Sequence, residues 1–163
     1  MQTSITGTWL GAGMGILLFS VAGVYADEEK MALDKVPKPV IEAAKARFKD
    51  AVMSDAAKET DNGKLVYEVS LKDKGQAIDV ILSPEGEILV IEKVITARAL
   101  PTAVTQALED KYPKATYKKV EEVFEVKNKK EELVYYEALL TIVETDKRWV
   151  KLTPEGKIVK RRK

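Results

Sequence analysis

The chain has 163 residues, a third of them charged, with 27 Lys and Arg set against 26 Asp and Glu for a formal net charge of +1. That balance offers no basic excess to hold a nucleic acid. No Cys and no His occur. Their absence excludes disulfides, thiolate chemistry, a Ser–His nucleophile and the commonest metal ligand, and leaves a poor inventory for an enzyme.

Residues 1–26, MQTSITGTWLGAGMGILLFSVAGVYA, carry no charged side chain, and DEEK follows at once. The run Met14 to Val24 fits the apolar core of a secretory signal, although no Lys or Arg precedes it. Val24-Tyr25-Ala26 has small residues at the two positions a signal peptidase reads. Residues 1–26 are therefore expected to be a signal peptide cleaved after Ala26, the alternative being a retained anchor barely long enough to span a bilayer. The mature chain is expected in the periplasm or secreted, with no stable membrane insertion after cleavage.

Beyond that leader, Pro37 suits the start of a helix, where a missing N–H costs nothing. Val40, Ala44 and Phe48 follow at helical spacing. Asp61-Asn62-Gly63-Lys64 reads as a tight hairpin leading into a strand over Lys64 to Leu71 with alternating apolar residues. Ala77 to Ser83 and Glu87 to Ile95 read as two more strands. Between them Ser83-Pro84-Glu85-Gly86 places Pro and Gly where a turn needs them.

The same order then recurs. Leu100-Pro101 opens a second helical pattern with Val104, Leu108 and Tyr112 on one face, and Pro113 closes it. LTPEGKIV, Leu152 to Val159, repeats LSPEGEIL, Leu82 to Leu89, almost residue for residue. This self-similarity predicts an α+β fold of two tandem repeats, each a helix packed on a roughly four-stranded antiparallel sheet. The boundaries are 27–98 and 99–163, with a junction near Thr96 to Ala99. Leu65, Tyr67, Val69, Val80 and Leu82 are expected beneath the first helix, and Val134, Tyr136, Ala138, Val150 and Leu152 beneath the second.

These motifs carry a resemblance. A helix closing on Phe48 or Tyr112, then Asn62-Gly63-Lys64 with Tyr67-Glu68-Val69, then a Pro-x-Gly hairpin, resembles the PepSY-like domain. In tandem it resembles the group classed with the β-lactamase inhibitory protein. The likeness covers about Val36 to Lys160. The first copy lacks a Pro after Phe48, and the second has Asn128-Lys129-Lys130 in place of Asn-Gly. What the resemblance implies is an exported binding module with no catalysis and no cofactor. Its relatives include inhibitory modules in protease propeptides and proteins that cap an enzyme with an open sheet face. The family's turn and core motifs specify fold rather than partner, so no contact residue is carried over.

The partner face is read from alternation instead. With Tyr136, Ala138 and Leu140 directed to the helix, Tyr135, Glu137, Leu139 and Thr141 point away. Trp149 and Lys151 do the same on the next strand. Tyr135, Trp149, Leu139, Lys151 and Glu137 are therefore the candidate partner-binding residues, since exposed aromatics among mixed charge make binding hot spots. The alternative is that Tyr135 and Trp149 merely pack on each other. On the first copy Val66, Glu68, Ser70, Asp79 and Ile81 occupy the matching positions. Glu121-Glu122 and Glu131-Glu132 are acidic pairs without a calcium-loop spacing, and no metal ligand or catalytic residue is assigned. The expected function is a non-catalytic protein- or peptide-binding module, acting as an inhibitor of a periplasmic or secreted enzyme of protease or β-lactamase type by covering its active site. The alternative is an envelope sensor or structural protein that binds cations or an anionic polymer through its charged surface, to which the basic tail Lys160 to Lys163 would contribute.

Overall fold

The computed structural model describes residues 29–61, 63–143 and 146–159. The expected signal peptide, the basic tail and Asn62 lie outside the described residues.

Local chemistry starts both helices alike. Pro37 and Pro101 sit immediately ahead of α1 (Lys38–Arg47) and α2 (Thr102–Lys111), extended and with their carbonyls free to accept the first helical bonds. Val40 N–H donates to Pro37 O at 3.0 Å and Val104 N–H to Pro101 O at 3.0 Å. A 3-10 turn precedes each proline, at Leu33–Lys35 and Ala97–Ala99. Both helices stop after ten residues, where Phe48 and Tyr112 leave helical geometry. A helix this short is not stable alone in water, so each depends on the sheet beneath it.

Among the described residues the strands are β1 (Glu29–Met31), β2 (Val52–Asp61), β3 (Lys64–Asp73), β4 (Gln76–Leu82), β5 (Ile88–Val94), β6 (Thr116–Lys127), β7 (Lys130–Val143) and β8 (Asp146–Leu152). They form one eight-stranded sheet in chain order, with every neighbouring pair antiparallel. This corrects the expected fold class. The described residues are mostly sheet with two short helices, not an α+β pair of helix-on-sheet repeats, because Val90 to Val94 of β5 pairs with Glu121 to Glu125 of β6. Two separate sheets would each leave a long edge of unpaired backbone groups at this point, and joining them satisfies both rows at once. Two further features were illegible in the sequence. β1 is only three residues long, and β2 (VMSDAAKETD) is too polar to alternate.

Both helices lie on one face. Val40, Ala44 and Phe48 pack with Tyr67, Val69, Leu71, Val80, Leu82 and Ile91, and Phe124 and Val126 of β6 pack against the same cluster. Val104 and Leu108 pack with Val120, Tyr136, Ala138, Leu140, Val150 and Leu152. The end of α1 is also tied to the distal half of the sheet. Arg47 pairs with Glu131 of β7, whose other oxygen accepts from Lys93 Nζ of β5 at 3.0 Å.

Two residues depart from the expected core. Leu65 stands near the start of β3 and is 44% exposed. Val134 lies on the face away from the helices, because the β6–β7 ladder steps from Val123–Tyr135 to Phe124–Leu133 and leaves Val134 as an extra residue. A second bulge, where Ile81–Val90 is followed by Leu82–Ile88, does the same to Leu89. A bulge lets two consecutive side chains share a face. Leu89, Val134 and Tyr135 thus pack against Val66, Ile81, Val90 and Val123, a third apolar cluster built without any helix.

Candidate functional site

The helix-free face carries the candidate site. Cross-strand partners share a face, so the register defines its rows. One runs Ser70–Asp79–Glu92–Val123–Tyr135 across β3 to β7. The next runs Val94–Glu121–Glu137–Lys151 across β5 to β8. A third brings Lys119, Leu139 and Trp149 together on β6, β7 and β8.

The five expected partner-binding residues therefore do fall on one face, in two adjoining rows with Tyr135 beside them. Their settings differ. Trp149 is 39% exposed, and Tyr135 and Leu139 are half-buried. Glu137 is buried and meets Lys151 Nζ at 2.8 Å. That ammonium also lies 4.7 Å from the centre of the Tyr135 ring, and the Lys119 ammonium lies 5.8 Å from the Trp149 ring. Each aromatic is held by a cation that is itself held by a carboxylate. Burial pushes the Tyr135 hydroxyl above its ordinary value, helped by Glu125.

Between these aromatics and β3 lies an acidic centre that no local spacing could reveal. Oxygen atoms of Asp79, Glu92 and Glu121, from three strands, lie within 4.8 Å of one another. Asp79 accepts from Ser70 Oγ at 2.7 Å and from Lys119 Nζ at 3.2 Å, and the same ammonium reaches Glu121 Oε1 at 2.7 Å. Glu92 is 7% exposed, and its buried Oε1 has no hydrogen-bond partner among the described residues. Desolvation holds the Glu92 carboxyl well above its ordinary value, and the charges of Glu121, Glu137, Glu68 and Asp79 push the same way. Burial also raises Glu121, against the pull of Lys119. Burial would lower the Lys119 ammonium, but its hydrogen bonds and attraction to Glu121 and Asp79 prevail and raise it, so it stays charged.

A groove of about 1000 Å³ opens on this face over β1 to β4, lined by Met31, Val52, Glu68, Ser70, Asp79 and Lys119 among others. Of the acidic centre, Asp79 lines this groove, while Glu92 and Glu121 are buried. Glu125, beyond it on β6, is buried and pairs with Lys127 Nζ at 2.6 Å. Among the described residues no helix is long and apolar enough to cross a membrane.

No protein-family model and no curated protein matches the chain. Solved structures do. A candidate periplasmic protein from Bacteroides eggerthii is similar with a TM-score of 0.61 at 17% identity, over 77% of this chain and 86% of that one. A DUF2874 family protein from Bacteroides uniformis gives 0.59 at 17% identity, over 76% and 86%. A BLIP-like protein from Bacteroides fragilis gives 0.53 at 14% identity, over 75% and 82%. At such identities the likeness shows the fold alone. It agrees with the resemblance to the β-lactamase inhibitory protein group at that level, and the PepSY-like part of the resemblance finds no matching model.

Proposed function

We propose that this chain is a non-catalytic protein-binding module of the periplasm, and that it docks its partner on the helix-free face around Trp149 and Tyr135. The observation that carries the reading is the arrangement of those rings: two aromatics on adjacent strands of one rigid sheet, each beside a lysine already paired with a carboxylate. Large side chains whose rotamers are restrained before docking lose little entropy on binding, and Trp and Tyr dominate measured interface energies. Leu139 supplies apolar surface beside Trp149, while the Glu137–Lys151 pair sets polarity between the two rings. The leader predicted in residues 1–26 and the fold shared with a BLIP-like protein support an exported, partner-capping role. The finer reading is inhibition of a protease or β-lactamase type enzyme by occlusion, with no chemical step.

The test is capture. Immobilised full chain is exposed to periplasmic extract at physiological salt beside a Trp149→Ala, Tyr135→Ala double variant matched for thermal stability. A discrete enzyme retained by the first, lost by the second and inhibited in its own assay by the free chain is the expected result. Equal capture by both, or retention of nothing but salt-labile polymer, overturns the docking face and favours the charged-surface reading.

A further inference from the structure

We propose that Asp79, Glu92 and Glu121 form a calcium site on the helix-free face, and that the Lys119 ammonium stands in for the ion on two of its three carboxylates. The site shares Lys119 with the partner reading above but does not rest on that reading.

Three observations meet there. The first is geometry. The three oxygens lie within 4.8 Å of one another, close enough to turn toward a single ion, and a set made wholly of protein oxygens suits Ca²⁺ better than Mg²⁺, which gives up its waters reluctantly. The donors are all hard oxygens. The chain has no His or Cys to favour zinc or copper. Each carboxylate can chelate through both oxygens, and Ser70 Oγ, already on Asp79, supplies a further donor.

The second is the orphaned acid. Among the described residues Glu92 Oε1 is buried without a hydrogen-bond partner, in a residue only 7% exposed that feels the charges of Glu121, Glu137, Glu68 and Asp79. A buried polar oxygen left unpaired is costly, and a cation placed between it and its neighbours removes that cost.

The third is charge. Three ionised carboxylates are offset less fully by the one ammonium than by one divalent ion in its place. Lys119 is not locked in place. Its side chain is 35% exposed, and Nζ lies 5.8 Å from the Trp149 ring, so it can leave the carboxylates for the aromatic face as calcium enters. Any proton held by Glu92 is released in the same step.

The experiment uses purified, chelator-treated full chain, with CaCl2 titrated by calorimetry and by thermal melting at neutral pH. One calcium per chain and a rise in the melting midpoint are expected, with Mg²⁺ weaker by about tenfold or more. Glu92→Gln and Asp79→Asn should each weaken calcium binding by at least about tenfold, whereas Glu131→Gln, outside the cluster, should not. Lys119→Met should melt lower than wild type in chelator, recover on adding calcium, and bind it more tightly than wild type, because the resident ammonium no longer competes. Circular dichroism confirms that each variant is folded. No heat and no shift in melting at millimolar calcium would overturn the proposal. So would equal binding by Glu92→Gln, which would mark diffuse attraction to surface carboxylates. Since no partner enters the assay, its outcome is separable from that of the capture experiment.

Discussion

The carbonyl oxygen of Ala103, in the first turn of α2, lies 2.3 Å from where a Cβ on Gly156 would stand. The same relationship joins Gly86 to Pro39 O of α1, at 2.5 Å. Each glycine has a positive φ, and its N–H closes a turn by donating at 2.9 Å to Ser83 O or Thr153 O. The two near-identical octets thus place a turn directly against a helix start, and only a residue without a side chain permits the approach. Gly63, at φ +77 in the β2–β3 hairpin, has open space around it. Gly63→Ala should therefore cost about 1 kcal/mol, the conformational penalty alone. Gly86→Ala and Gly156→Ala should each cost more, about 3 kcal/mol, because backbone must move as well. Urea denaturation of the three variants checks the order, and equal losses would contradict the close contact.

The pair Lys151–Glu137 makes a second prediction. Both side chains are largely buried, at 14% and 8% exposure, and the ammonium also lies over Tyr135. Lys151→Met removes the cation and leaves Glu137 buried without it, which should cost about 3 kcal/mol at neutral pH. A Lys151→Met, Glu137→Gln double variant should recover most of that loss. If the double variant is as unstable as the single one, the cost lies in packing on Tyr135 and not in the uncompensated charge. Chemical denaturation of the two variants beside wild type gives the answer directly.

Glu92 fixes the sign of the pH dependence. Desolvation and the carboxylates around it raise its folded-state value well above the ordinary 4.5. The folded protein then holds a proton that the unfolded chain has released, so stability falls as pH rises from about 4.5 through the folded value. In chelator, Glu92→Gln should melt higher than wild type at pH 8, and the gap should close near pH 4, where wild type is also neutral there. Melting curves across that range provide the check. A gap that is constant with pH would mean that Glu92 is solvated.

Much of the local structure could be read from the residues. Pro37 and Pro101 marked both helix starts because proline restricts φ and lacks an N–H. The alternation of Tyr136, Ala138 and Leu140 against Tyr135, Glu137 and Leu139 assigned the faces of β7 correctly, since side chains on a strand alternate by geometry alone. What failed was non-local or irregular. Val134 was placed under α2 because strict alternation has no room for a bulge. β2 was not recognised because its pairing with β3 supplies order that VMSDAAKETD does not encode in a hydrophobic pattern. The division into two tandem helix-on-sheet units failed because the β5–β6 ladder is made of backbone hydrogen bonds, which carry no sequence signature.

The candidate site divides the same way. Tyr135, Trp149, Leu139, Lys151 and Glu137 could be assigned to one face from strand periodicity within β7 and β8. Asp79, Glu92 and Glu121 could not be brought together from spacing, because they sit on three strands and meet only when β4, β5 and β6 pair in one register. Composition and local periodicity by themselves determined the absence of His and Cys chemistry, the helix starts, the glycine turns and the outward aromatics, since each rests on single residues or short-range geometry. Only the tertiary structure decided that one sheet runs through the described residues and that three carboxylates, two of them buried, share one small volume, because cross-strand register and desolvation arise from contacts between residues far apart in the chain.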